Sequence, residues 1–233
     1  MSERVPLALL PGLLCDARLW APQAEALADL AEPRVADLTT QNDVGAMAES
    51  VLAAMPPRFA LAGLSMGGYV AFEILRRAPE RVLRLALLDT RADPDTPEQT
   101  ARRRGLIELA EKGEFKGVTP RLLPLLIHEA RLEDAPLVGT VMSMAEAVGK
   151  AAFLRQQQAI MGRPDSRPTL VKISCPTLVL CGRQDALTPV DKHTAMAAGI
   201  RDARLEVIED CGHLSTIERP EAVNRALRAW LAG

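Results

Sequence analysis

Residues Gly63-Leu64-Ser65-Met66-Gly67 separate the apolar run Phe59-Ala60-Leu61-Ala62 from a stretch of helical period that begins near Gly68. A strand that turns into a helix over so few residues needs glycine on both sides of the turn, because a side chain there collides with the neighbouring strand or helix. The central residue is forced into strained backbone geometry. Ser65 is therefore expected to project above a sheet edge. The free N–H groups and positive dipole end of the following helix lie beneath it and favour an oxyanion. The spacing alone also fits a tight turn with an incidental serine, so Ser65 has to be weighed together with its partners.

A nucleophilic serine needs a base, and the chain has three histidines, at 128, 193 and 213. His213 follows the extended run Leu205 to Gly212, which places it in a loop at the carboxyl end of a late strand. His193 falls in a helical pattern after Thr188-Pro189 and reads as a solvated residue on the polar side. His128 ends the apolar stretch Leu122 to Ile127, where a cation suits a helix C-terminus and a substrate contact is the second option.

The imidazole in turn needs a carboxylate that holds its tautomer and stabilises the imidazolium. Asp185 closes Pro176-Thr-Leu-Val-Leu-Cys-Gly-Arg-Gln-Asp185, a buried-type strand running into a loop. Asp89, at the end of Leu85-Ala-Leu-Leu, is the rival, with a loop-forming role capping backbone N–H groups as its plainer reading. The favoured order along the chain is Ser65, Asp185, His213.

On these residues the chain resembles the α/β-hydrolase family, over residues 5 to 90 and 173 to 231. The likeness rests on Gly63-x-Ser65-x-Gly67, the Gly182-Arg-Gln-Asp185 loop, Gly212-His213 and the early Leu9-Leu10-Pro11-Gly12-Leu13-Leu14. The resemblance implies an oxyanion hole built from the N–H groups of Leu13 and Met66. Many members have histidine where this chain has Pro11.

Apolar runs at about 5–10, 33–38, 58–64, 82–89, 176–181 and 204–208 alternate with helical patterns at 17–31, 43–55, 67–77, 189–199 and 219–231. Such alternation predicts an α/β fold, a mostly parallel sheet of about six strands flanked by helices. Between Thr90 and Lys172 the strand signal vanishes, and prolines punctuate helical segments near 97–112, 119–129, 134–148 and 150–161. The expected organisation is one compact domain, with a core of residues 1–90 and 173–233 and a helical cap of residues 91–172 inserted after the strand ending near Asp89. A cap walls an apolar cleft of the kind that takes small molecules. Leu14, Leu122, Leu123, Leu126, Met142, Met144, Phe153 and Met161 are candidates to line it, although taken singly such side chains more often pack a cap onto its core.

With 233 residues, 48% apolar and 25% charged, and a formal net charge of −2, the chain has room for a buried core and no global field for nucleic acid or an acidic membrane. An aromatic content of 3% argues against base-stacking platforms. No run approaches ~18 uninterrupted apolar residues, so no membrane span is expected, and the N-terminus lacks a signal-type apolar stretch. Cys15, Cys175, Cys181 and Cys211 lack a C-x-x-C pair and read as reduced thiols. The expectation is a cytoplasmic serine hydrolase that cleaves a small or medium carboxylic ester through an acyl-enzyme, with no metal, no organic cofactor and a small-molecule substrate as its partner. Thioester, lactone or carbon-carbon bond hydrolysis on the same residues is the first alternative, and a non-catalytic ligand receptor on this scaffold the second.

Overall fold

The computed structural model describes residues 4–233. Six strands, β1 (Val5–Leu10), β2 (Ala31–Val35), β3 (Phe59–Leu64), β4 (Val82–Leu88), β5 (Thr177–Gly182) and β6 (Ala203–Ile208), form one sheet in the order β2-β1-β3-β4-β5-β6. Every neighbouring pair is parallel. The chain starts at β1, steps to β2 on one side, then to β3 on the other, so the winding direction reverses between β1 and β3. In open parallel sheets, ligands bind in the crevice at the carboxyl ends of the strands flanking such a reversal. The loops after β1 and β3 carry Leu13 and Ser65 to that crevice.

Parallel strands covered on both faces read as continuous apolar runs, and β3 is buried along its whole length. Side chains alternate between the faces with period two. Ala8 and Leu10 join the cluster containing Met47, Val51, Val70 and Ile74, from helices α2 (Val44–Ala54) and α3 (Met66–Arg77). Leu7 and Leu9 join Trp20, Leu227 and Trp230 on the other face. The strand expected at 33–38 is displaced to 31–35 and includes Pro33; as an edge strand, β2 can spare the missing N–H. The helix expected over 17–31 is a 3-10 turn, Ala17–Trp20, followed by a short helix, α1 (Ala21–Ala26).

After β4 the chain leaves the sheet to build a helical cap. Helix α4 (Pro97–Leu109) starts with Thr96 accepting from the Gln99 N–H while the Gln99 side chain accepts from the Thr96 N–H. Its end loosens into a π-helical turn, Ala110–Glu114. The segment expected to be helical near 119–129 contains instead a 3-10 turn, Pro120–Leu125, with Pro124 inside it. Helix α5 (Ala135–Gly162) is interrupted at Gly149, whose φ of 75° and ψ of 175° lie outside any helix, so the two segments expected at 134–148 and 150–161 run on with a kink. By length and composition α5 could cross a membrane, which departs from the expectation of no such segment. Here Leu137, Val141 and Met144 pack it into the same cluster as Trp20.

Candidate active site

Ser65 has φ 53° and ψ −114°, a conformation that costs a non-glycine residue about 1–3 kcal/mol. Three hydrogen bonds hold it there. Its N–H donates to the Leu88 carbonyl at 3.0 Å, its carbonyl accepts from the Gly68 N–H at 2.9 Å, and the same carbonyl accepts from the Thr90 hydroxyl at 2.8 Å. The flanking glycines follow from contact distances: a Cβ on Gly63 would stand 2.5 Å from the Gly67 carbonyl oxygen, and one on Gly67 would run into the Leu10 carbonyl.

The structure brings Ser65, His213 and Asp185 together. Ser65 Oγ lies 2.9 Å from His213 Nε2, and His213 Nδ1 lies 2.8 Å from Asp185 Oδ2. Asp185 Oδ1 accepts from the N–H groups of Leu187 and Thr188 at 2.8 and 2.9 Å, and Oδ2 accepts from the Thr188 hydroxyl at 2.6 Å. Burial alone would raise the Asp185 pKa; His213 and these donors more than offset it and hold the carboxyl below its ordinary value. Burial alone would likewise lower the His213 pKa, but Asp185, with smaller help from Asp89 and Glu218, sets it above the ordinary histidine value. A hydrogen-bonded line thus runs from a hydroxyl through an imidazole to an ionised carboxylate, an arrangement able to take a proton from the hydroxyl and return it.

The His213 loop is held from three sides. The Leu126 carbonyl, in the cap, accepts from the N–H groups of His213 and Leu214 at 3.0 and 3.1 Å. The buried Glu218 carboxylate accepts from the Gly212 and His128 N–H groups. Asp89 accepts from the Ser215 N–H at 3.2 Å and hydroxyl at 2.5 Å, and from the Gly182 N–H at 3.1 Å. Asp89 therefore caps backbone N–H groups, as its plainer reading has it, but those of two distant loops. Complete burial, then the Asp185 charge, pushes its carboxyl up to about 8.

Gly12 brings the early loop against Ser65, since a Cβ there would stand 3.4 Å from Ser65 Cβ. Leu13 N–H has no hydrogen-bond acceptor among the described residues, and Met66, as the first residue of α3, precedes the first intrahelical bond. Leu14 adopts φ 59°, and its N–H donates to Gln156 Oε1 at 3.1 Å. The Gln156 amide nitrogen donates to the Leu38 carbonyl at 3.1 Å. This buried glutamine of α5 ties two core loops to the cap, and neither it nor Thr188 stands out in the sequence.

A cavity of about 640 Å³ opens at Ser65 and His213. Leu14 and Phe153 line it, as do Leu122, Leu126 and Met144. Leu123, Met142 and Met161, expected there, do not. In the 3-10 turn Leu122 and Leu125 share a face, which turns Leu123 into the core. On α5 the inward face carries Val141 and Met144, and Met142 lies about 100° around the helix. His193 is also corrected: it is fully buried, on the stripe with Met196 and Ile200. Its Nε2 accepts from the Thr90 N–H at 3.0 Å, and its Nδ1 faces the Pro189 carbonyl at 3.3 Å. His128 is not among the cavity residues, and it caps the start of a 3-10 turn rather than a helix end, accepting from the Ala130 N–H. The four cysteines are unpaired.

The profile of the alpha/beta hydrolase family matches residues 7–226. The chain belongs to that family. A solved structure of a thermophilic esterase from Thermogutta terrifontis, with malate bound, is 33% identical with a TM-score of 0.87, covering 98% of this hydrolase and 89% of that chain. The 3-oxoadipate enol-lactonase 2 of Acinetobacter baylyi is 29% identical over 179 residues, 74% of this hydrolase; the match spans 63% of the lactonase, under two thirds of its length. The pimeloyl-(acyl-carrier protein) methyl ester esterase of Neisseria meningitidis is 26% identical over 197 residues, 82% of this hydrolase and 76% of that protein.

Proposed function

We propose that this hydrolase cleaves small or medium carboxylic esters through an acyl-enzyme on Ser65. The observation that carries the reading is the continuous contact Ser65 Oγ to His213 Nε2 to Asp185 at the wall of a cavity. Ser65 Oγ attacks the ester carbonyl while His213 takes its proton; Asp185 keeps the proton on Nδ1 before the reaction and stabilises the imidazolium formed. The N–H groups of Leu13 and Met66 receive the oxyanion, each such donor contributing about 2.7–4 kcal/mol. His213 then protonates the leaving alcohol, and water repeats the steps on the acyl-enzyme. The chemistry requires no metal or organic cofactor, and unpaired cysteines suit a cytoplasmic setting.

The cavity's size favours acyl groups that fit inside it over lipids presented at an interface. A cyclic ester is attacked in the same way, and the likeness to an enol-lactonase supports lactones as a second substrate type. A series of p-nitrophenyl esters from acetate to palmitate, run beside simple lactones, tests the reading. The expected maximum lies at short to medium chains. A maximum at palmitate with activation by micelles contradicts it, and turnover of lactones alone moves the assignment to the cyclic substrates.

A further inference from the structure

Although the chain carries a net charge of −2, the cavity wall is cationic. Among the described residues it presents Arg91, Arg102, Arg103, Lys116 and Arg121 against a single carboxylate, Asp95. Asp95 is already neutralised from both sides, by Arg103 Nε at 2.6 Å and Arg163 Nη2 at 2.9 Å. Arg91 is bound to Asp93. Arg102, Lys116 and Arg121 form no ion pair among the described residues and are exposed.

Two donors at this end of the cavity are unused. Arg103 spends Nε on Asp95 and Nη1 on Gln157 Oε1 at 2.8 Å, which leaves Nη2 without a described acceptor. The Tyr69 hydroxyl has no hydrogen-bond partner among the described residues, although the residue is buried and its ring lies beneath the Arg163 guanidinium, 4.1 Å from Cζ to centroid. The hydroxyl faces the cavity, open to an incoming acceptor. Tyr69 lies in the first turn of α3, four residues after Ser65, which caps that helix, and both line the cavity. Leu14, Phe115 and Phe153 give the same cavity apolar wall.

Resting on the ester-hydrolase reading, we propose that this end of the cavity is a carboxylate subsite, formed by Tyr69 and Arg103, and that the substrate is an ester or lactone carrying a second, ionised carboxyl group a few carbons from the reacting carbonyl. A planar guanidinium edge and a phenol hydroxyl lining one cavity suit a carboxylate, and charge-assisted hydrogen bonds are the strong ones. Arg102, Lys116 and Arg121, the more exposed cations, would raise the local concentration of such an anion.

The test reads binding without turnover. Titration calorimetry on the Ser65→Ala protein compares monomethyl adipate with dimethyl adipate, which differ by one ionisable group. The half-ester is expected to bind roughly ten-fold more tightly or better, with the preference shrinking as salt is raised. Tyr69→Phe in the same background takes one oxygen from the wall and should remove most of the preference; Arg103→Gln should do the same, at the added cost of releasing Asp95. Equal affinities, tighter binding of the diester, no binding of the half-ester, or a preference untouched by Tyr69→Phe overturns the subsite. Failure of ester hydrolysis itself is a separate outcome, seen only in the parent enzyme's turnover.

Discussion

Gln156, in the second half of α5, accepts the Leu14 N–H at 3.1 Å while its own amide donates to Leu38, so the shape of the loop beside Ser65 depends on a residue of the cap. The neighbouring N–H, Leu13, is the one proposed to meet the oxyanion, and the Gln156 bond helps to hold Leu14 in the left-handed region. Gln156→Leu keeps the volume and deletes both bonds.

For Gln156→Leu the expected outcome is a kcat lowered by about 10- to 100-fold with KM little changed, since a displaced donor is missed mainly in the transition state. Two buried backbone groups left unpaired should also cost about 1–3 kcal/mol each. Steady-state kinetics and urea unfolding check the two effects separately.

The pH profile follows from the His213 shift. Turnover needs the neutral imidazole, and Asp185 raises its pKa above the ordinary value of about 6.5, so kcat/KM should rise with pH through a midpoint above 6.5. Removing the carboxylate charge by Asp185→Asn leaves burial as the main influence and should move the midpoint of the residual activity downward. A midpoint that moves up would contradict the assignment of Asp185 as the raising charge.

Asp185 and Asp89 separate by mutation. Asp185→Asn should lower turnover by about 10⁴, as an amide favours the wrong tautomer and cannot balance an imidazolium. Asp89→Asn touches only the supports of the His213 loop and should lose far less activity. Parallel kcat measurements on the two variants decide between them, and the reverse order of losses assigns the acid to Asp89.

How far the site could be read from the sequence depended on the kind of signal. Ser65, Asp185 and His213 each follow a recognisable apolar strand, and strands of a parallel sheet deliver their loops to one edge, so chain order alone placed them together. Pro33 shifted β2 because an edge strand imposes a weaker pattern than a buried one. His193 was misread because an Ala-rich helix has no clear polar side, and only the contact with Thr90 shows which way it faces. Leu123 lies in a 3-10 turn, whose period of three differs from the helical one projected from the sequence, and Met142 lies one residue off the inward-facing stripe of α5. Gln156 was invisible since its partners lie 142 and 118 residues away.

His193 carries a stability prediction. Burial, the leading influence, takes its pKa down to about 4, below the unfolded value near 6.5. A base whose folded pKa is depressed contributes full stability above 6.5 and loses it as pH falls toward 4, by roughly 2 kcal/mol between pH 7 and 5. The raised pKa of His213 acts in the opposite sense, so the quantity to measure is the difference in urea-unfolding free energy between the parent protein and His193→Asn at the two pH values. That difference should narrow by about 2 kcal/mol at pH 5.

The central claim is that His213 activates Ser65 as a nucleophile. Mass spectrometry after reaction with a fluorophosphonate measures it directly. The predicted result is one adduct per chain, on the peptide containing Ser65, formed at a rate that His213→Ala lowers by orders of magnitude. A folded protein that stays unlabelled at Ser65, or one that labels equally fast without His213, contradicts the claim.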